Sequence, residues 1–204
     1  MDFFTDYDGI DFFGATLGLI GLGRIGGHVA GIARGLGMRV MAYDPYVSPD
    51  WAAELDVDLA TSLEEVLGAA DVLSLHLPLT PETEGILNAR RLAQMKSGSI
   101  LINTARGGLV DEGALLEALE KGHLYGAGLD VLRVKPVPRD HPLLQRDDVI
   151  ISPHVAAANR SGKDRLWRTA ITQALQVLRG QRPKHLVNPE VFSRSARRPK
   201  GGSR

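Results

Sequence analysis

The run LIGLGRIG, residues 19–26, sets Gly21, Gly23 and Gly26 in the spacing G-x-G-x-x-G directly after an apolar, strand-like stretch. Phosphate binding is the chemistry suited to that spacing. The first glycine makes a tight turn, the second lets the backbone approach a pyrophosphate, and the third lets the next helix pack closely on the strand. The helix N-terminus then offers unpaired N–H groups to the phosphates. Asp44 follows 18 residues after Gly26, at the end of the next apolar run, RVMAYD. A carboxylate there accepts both hydrogen bonds of an adenosine ribose and repels a 2′-phosphate, which favours NAD over NADP. The plainer alternative for Asp44 is a turn-forming aspartate before Pro45.

Short apolar runs must hold such a turn in place, and they alternate here with helical patterns. TLGLIG (16–21), RVMAYD (39–44), DVLSLHLP (71–78), GSILINTA (98–105), YGAGLDV (125–131) and DVIISPH (148–154) read as buried strands. Residues 24–36 place Ile25, Val29, Ile32, Ala33 and Leu36 on one predicted helical face. Ser62 with Glu65 forms a capping-box pattern, and Asp111 caps the segment EGALLEALEK, which stops at Gly122. Thr80 followed by Pro81 predicts another helix start. A long amphipathic helix is expected over roughly 161–179. Strand–helix alternation predicts an α/β fold: a doubly wound Rossmann parallel sheet with helices on both faces, over 14–160. An aromatic lead-in (1–13) precedes it, and a C-terminal helix and return segment (161–191) follow.

Composition removes several classes of function. Lys plus Arg number 24, as do Asp plus Glu, so no global field draws nucleic acid or an anionic membrane. The chain has no cysteine, which excludes disulfides and thiolate metal sites. The six histidines show no metal-ligand spacing, so no metal is expected. No secretory leader or membrane-length apolar run is visible, and a cytoplasmic protein is the expectation. The end of the chain (192–204) is basic and poor in apolar residues. It reads as a disordered tail in preference to a nucleic-acid contact, since no aromatics interleave its charges.

The segments HLPLTPETEGILN (76–88), LINTARGGLVDEGAL (101–115), GAGLDV (126–131), HPLL (141–144) and SPHVAAAN (152–159) occur in an order and spacing that is more than generic. Together they resemble the D-isomer-specific 2-hydroxyacid dehydrogenases, with a flavour of the glyoxylate/hydroxypyruvate reductase and phosphoglycerate dehydrogenase branch, over about residues 9–191. The resemblance implies NAD as cofactor and a small 2-keto or 2-hydroxy acid as substrate. Arg106 would hold the substrate carboxylate and keto oxygen, a task for a planar, permanently charged fork. His154 would be the acid/base that protonates the carbonyl oxygen. Gly21, Gly23, Arg24, Ile25, Gly26 and Asp44 would cradle the cofactor. Pro78, Thr104, Ala105, Arg106, Asp130 and His154 would line its nicotinamide end. Outside the resemblance, Arg106 reads as a surface loop arginine and His154 as a strand-end histidine; His76 ends a strand near the cofactor edge.

Two differences from the family pattern stand out. Relatives with a His–Glu pair carry the glutamate five residues after the GLDV aspartate, where this chain has Lys135. The glutamate orients the histidine and favours its protonated form; an ammonium disfavours the imidazolium, unless the lysine turns out to solvent. The formate dehydrogenases, with a neutral glutamine there, work without an acid. The second difference is length: relatives begin with a smaller substrate domain, which is expected to be absent here. Phe3, Phe4, Tyr7, Phe12 and Phe13 crowd the first thirteen residues. They are expected to pack on a second subunit in a homodimer, the alternative being that they fold back on their own domain. Two functions follow from this reading: an NADH-dependent reductase of a 2-keto acid such as glyoxylate or hydroxypyruvate, or an NAD(H)-binding module with impaired turnover that acts as scaffold or sensor.

Overall fold

A computed structural model describes residues 9–195. The chain forms two compact units that divide between Ala156 and Ala157. In the first, the elements run β1 (Thr16–Ile20), α1 (Arg24–Gly35), β2 (Arg39–Tyr43), α2 (Pro49–Glu54), β3 (Asp58–Leu59), α3 (Leu63–Ala69), β4 (Val72–Leu75), α4 (Ala89–Leu92), β5 (Ser99–Asn103), α5 (Glu112–Glu120), β6 (Leu124–Leu129) and β7 (Val149–Ile151). All seven strands are parallel, in the order β3-β2-β1-β4-β5-β6-β7. This is the expected doubly wound Rossmann sheet.

Parallel strands covered on both faces are apolar throughout, and β1 and β4 are buried at every position. Leu19, Val40, Ala42 and Val72 pack with Ala30 and Ala33 of α1 and Ala52 of α2 in one cluster. Leu73, Leu75, Leu101 and Leu129 pack in a second with Leu63, Val66 and Leu67 of α3 and Leu115 and Leu119 of α5. Fully burying each leucine contributes about 2 kcal/mol before chain entropy is counted. The helix starts follow local side-chain chemistry. Ser62 Oγ accepts the Glu65 N–H at 3.2 Å, and Asp111 Oδ1 accepts the Ala114 N–H at 3.1 Å. Gly122, at φ 66°, turns the chain after α5.

Two expectations fail. Thr80–Pro81 opens no helix. Thr83 Oγ1 accepts the Thr80 N–H at 2.8 Å and donates to the Pro78 carbonyl at 2.7 Å, and the segment closes as turns. Local hydroxyl bonds there replace the backbone ladder. On α1 only part of the apolar stripe faces the sheet: Ala33 is buried and Val29 half-buried, but Ile25 is 68% exposed, Ile32 66% and Leu36 55%, and Gly26, Gly27 and Ala30 are buried in their place. The sheet side lies about a quarter turn away from that stripe. At its start the reason is closeness to the glycine turn: a Cβ on Gly26 would lie 2.3 Å from the Gly21 carbonyl oxygen.

In the second unit, α6 (Arg160–Leu178) begins where Asn159 Oδ1 accepts the Gly162 N–H at 2.6 Å, and Gly180 follows its end at φ 73°. A last helix, α7 (Glu190–Ser195), occupies the beginning of the stretch expected to be disordered. Pro189 and Glu190 supply its start, a fixed φ followed by an acidic first turn. The rest of the basic tail, and Phe3, Phe4 and Tyr7, lie outside the described residues. Phe12 and Phe13 are exposed, 45% and 79%. Among the described residues no helix is long and apolar enough to cross a membrane.

Candidate cofactor and active site

Every candidate residue lies beyond the carboxyl end of a parallel strand or in the first turn of the helix that follows. The strand order reverses direction between β1 and β4, and that switch point opens a crevice. The glycine turn sits on it. Gly21 has φ 97°, and a Cβ there would lie 2.6 Å from the His76 carbonyl oxygen. At Gly23 a Cβ would meet no atom within 4 Å. Gly21 and Gly26 are therefore required by the fold, whereas Gly23 borders open space at the N-terminus of α1, as a pyrophosphate site demands. The turn is held from both sides. Asp44 Oδ2 accepts the Leu22 N–H at 2.8 Å, and Trp51 Nε1 donates to the Leu22 carbonyl at 2.9 Å. The other carboxylate oxygen of Asp44 accepts the Tyr46 N–H at 2.9 Å, which leaves lone pairs on both oxygens for a ribose. Arg24 and Ile25 stand exposed in the first turn of α1. Trp51 escaped the sequence reading, because a tryptophan in a six-residue helix carries no pattern of its own.

After β5 the chain is shaped by Asn103, only 1% exposed. Its amide donates to the Arg106 carbonyl at 2.9 Å and its Oδ1 accepts the Ala105 N–H at 3.0 Å. This Asx-type turn sets Thr104, Ala105 and Arg106 on the strand end, and an asparagine closing an apolar run was its available signal. The Arg106 guanidinium is exposed, with Nη1 donating to the Ala105 carbonyl at 2.7 Å. Next to it Gly107 has no room for a side chain, since a Cβ would lie 2.2 Å from the Leu132 carbonyl carbon.

Asp130, 4% exposed at the end of β6, organises the opposite wall. Its Oδ1 accepts from Ser152 Oγ at 2.6 Å and from the Val155 N–H at 2.8 Å, and its Oδ2 accepts the Ala156 N–H at 3.0 Å. Burial alone would raise its pKa, but the Ser152, Ala156 and Val155 hydrogen bonds together hold the carboxyl below its ordinary range. The His154 N–H donates to the Asp130 carbonyl at 2.9 Å, and His154 adopts φ 57°, a left-handed conformation rare outside glycine. Strain of this kind persists where surrounding bonds over-determine the loop. Lys135 does not turn away to solvent: its Nζ lies 2.6 Å from His154 Nδ1. Beneath the pair is a cavity of about 530 Å³ walled by Leu132, Pro136, Val137, Leu144 and Ile151.

Pro78 is exposed beside the glycine turn. His76 is largely enclosed, its Nε2 2.9 Å from Ser74 Oγ, and burial lowers its pKa. Among the described residues no three His, Cys, Asp or Glu side chains gather as a metal site would require.

Comparison with known proteins agrees with this geometry. Residues 4–156 match the family model "D-isomer specific 2-hydroxyacid dehydrogenase, NAD binding domain". A glyoxylate reductase of Korarchaeum cryptofilum is 43% identical over 183 residues, which cover 90% of this chain and 55% of that protein. The crystal structure of the TT0316 protein from Thermus thermophilus superposes with a TM-score of 0.81 at 49% identity, covering 88% of this chain and 55% of that one. The structure of D-lactate dehydrogenase with NAD+ from Lactobacillus jensenii gives 0.80 at 35% identity, covering 87% and 57%. The chain thus spans about half the length of the relatives it matches. With a glycine turn on the switch point, an aspartate at the end of β2 and this agreement, the chain belongs to the D-isomer-specific 2-hydroxyacid dehydrogenase family and comprises its NAD-binding domain.

Proposed function

We propose that the protein is an NAD-dependent oxidoreductase that interconverts a small 2-keto acid and its D-2-hydroxy acid, with glyoxylate and hydroxypyruvate as first candidates. One observation carries the reading: the loop that Asp130 clamps presents His154 at the same strand-end edge as the glycine turn and Arg106. Gly21, Gly23, Arg24, Ile25, Gly26 and Asp44 would hold the cofactor's phosphates and adenosine ribose. Pro78, Thr104, Ala105 and the walls around Asp130 would bound its nicotinamide end. Bound there, NAD supplies or accepts a hydride.

Arg106 fits the substrate end. An exposed guanidinium on a fixed loop offers paired donors to a carboxylate and stays charged at any working pH. His154 donates a hydrogen bond to the carbonyl oxygen and gives up a proton as negative charge develops there. The clamp on residues 152–156 lowers the cost of orienting that imidazole. The unit of residues 14–160 would carry these parts, with 161–191 as a C-terminal segment.

A homodimer in the cytoplasm completes the proposal. Exposed Ile32 and Leu36 on α1, with Phe12 and Phe13, offer an apolar surface that a second copy would cover. Lys135 at His154 favours a second reading, an NAD(H)-binding module with impaired turnover. Purified protein, titrated with NADH by fluorescence and then given a panel of 2-keto acids, separates the two. Binding with turnover of any panel member establishes the oxidoreductase, binding without turnover establishes the module, and absence of binding removes both.

A further inference from the structure

Lys135 and His154 meet at 2.6 Å between Nζ and Nδ1, and both side chains are exposed. An ammonium has protons to give and no lone pair. It can approach Nδ1 this closely only where that nitrogen accepts, because two full positive charges in contact repel. A neutral imidazole that accepts at Nδ1 carries its proton on Nε2. Moving the bridging proton across the contact makes a neutral amine and an imidazolium, and Nε2 still carries its proton. Whichever side holds the bridging proton, Nε2 is a donor.

We propose that Lys135 is a positioning residue that locks His154 as a hydrogen-bond donor at Nε2. A carboxylate at this position would do the opposite: it accepts from Nδ1–H and leaves Nε2 bare in the neutral ring. Among the described residues Asp130 also lies near His154, and its carboxylate is engaged by Ser152, Val155 and Ala156. The lock also provides a proton path. When Nε2 releases its proton to a substrate oxygen, Nδ1 takes the bridging proton from Lys135. The neutral amine then accepts from Nδ1–H; a solvent proton taken up at Nε2, followed by return of the bridging proton to Lys135, restores the starting state. Only the identity of that oxygen rests on the dehydrogenase reading above.

The test reads the ring directly. Protein labelled with 15N-histidine gives long-range 1H–15N spectra that distinguish the tautomers, with His154 assigned by the loss of its peaks in His154→Gln. The expected result at neutral pH is Nε2–H in the unmodified chain and Nδ1–H with bare Nε2 in Lys135→Glu. A bare Nε2 in the unmodified chain, or one tautomer common to it and Lys135→Glu, overturns the proposal. A second readout is the pH profile of glyoxylate reduction. On its alkaline side Lys135→Glu, which needs a protonated ring, should fall about tenfold per pH unit while the unmodified chain holds its rate. Coincident alkaline limbs in two active proteins also overturn it. Expected spectra without turnover of any 2-keto acid of the panel in either protein leave the lock standing and remove the dehydrogenase reading.

Discussion

Asp130 Oδ1 accepts the N–H of Val155 at 2.8 Å across 25 residues of sequence, while the Asp130 carbonyl accepts the N–H of His154 at 2.9 Å. One residue thus holds the chain on both sides of the candidate acid/base. In Asp130→Asn the new amide nitrogen competes with the Val155 and Ala156 donors, so at least one loses its acceptor, at a cost of about 2 kcal/mol. The pH dependence has a definite sign. The folded pKa lies below the ordinary 3.8, so the unfolded chain binds the proton first on acidification. The stabilisation is complete above the unfolded value and is lost as pH falls through the folded one. Thermal melts should therefore show a gap between the two proteins at neutral pH that closes in acid. A gap that is constant with pH would assign it to packing.

Gly23 and Gly26 belong to one motif and should respond in opposite ways. A Cβ at position 26 would sit 2.3 Å from backbone oxygen, whereas one at position 23 meets nothing within 4 Å. Gly26→Ala should lower the melting temperature, since either the turn or α1 must shift. Gly23→Val should melt close to the unmodified chain yet lose most of its affinity for NADH, measured by fluorescence titration. Normal NADH affinity in folded Gly23→Val would place the pyrophosphate elsewhere.

His76 makes a second acid-side contribution, in a different window. Burial lowers its folded pKa below the ordinary 6.5, so under that value the unfolded chain takes up a proton that the folded chain refuses. Stability falls as pH drops from there toward the folded value and is unaffected above it. His76→Gln, which can still bond Ser74, should melt with a flatter profile as pH falls below the ordinary histidine value of 6.5. Parallel profiles would show that His76 is protonated equally in both states.

The sheet was legible because its strands are buried on both faces and so read as short apolar runs. What escaped was short: the two residues of β3 and the four of α4 are below the length at which a period can be seen. The orientation of α1 was hidden for a different reason. Its strongest hydrophobics form a stripe, but contact with the turn admits no side chain at Gly26, so closeness of approach outweighed hydrophobicity there. At the site, spacing located the glycine turn and Asp44. It could not give the Asp130 clamp or the Lys135–His154 contact, which depend on how loops 19 to 26 residues apart return to one another.

The outward stripe of α1 carries the last prediction. Ile32 and Leu36 lie one turn apart on α1, 66% and 55% exposed, so the described residues leave most of each uncovered. Burying the exposed part of both against a second copy would contribute about 2 kcal/mol from each copy, together enough to change a dissociation constant roughly a thousandfold. The unmodified chain should therefore sediment as a dimer, and Ile32→Lys/Leu36→Lys as a monomer. Neither position lies at the glycine turn, so the double variant should keep its NADH affinity. That retention separates loss of assembly from loss of fold. A monomeric unmodified chain, or a double variant that still dimerises, would show that this stripe does not join two copies.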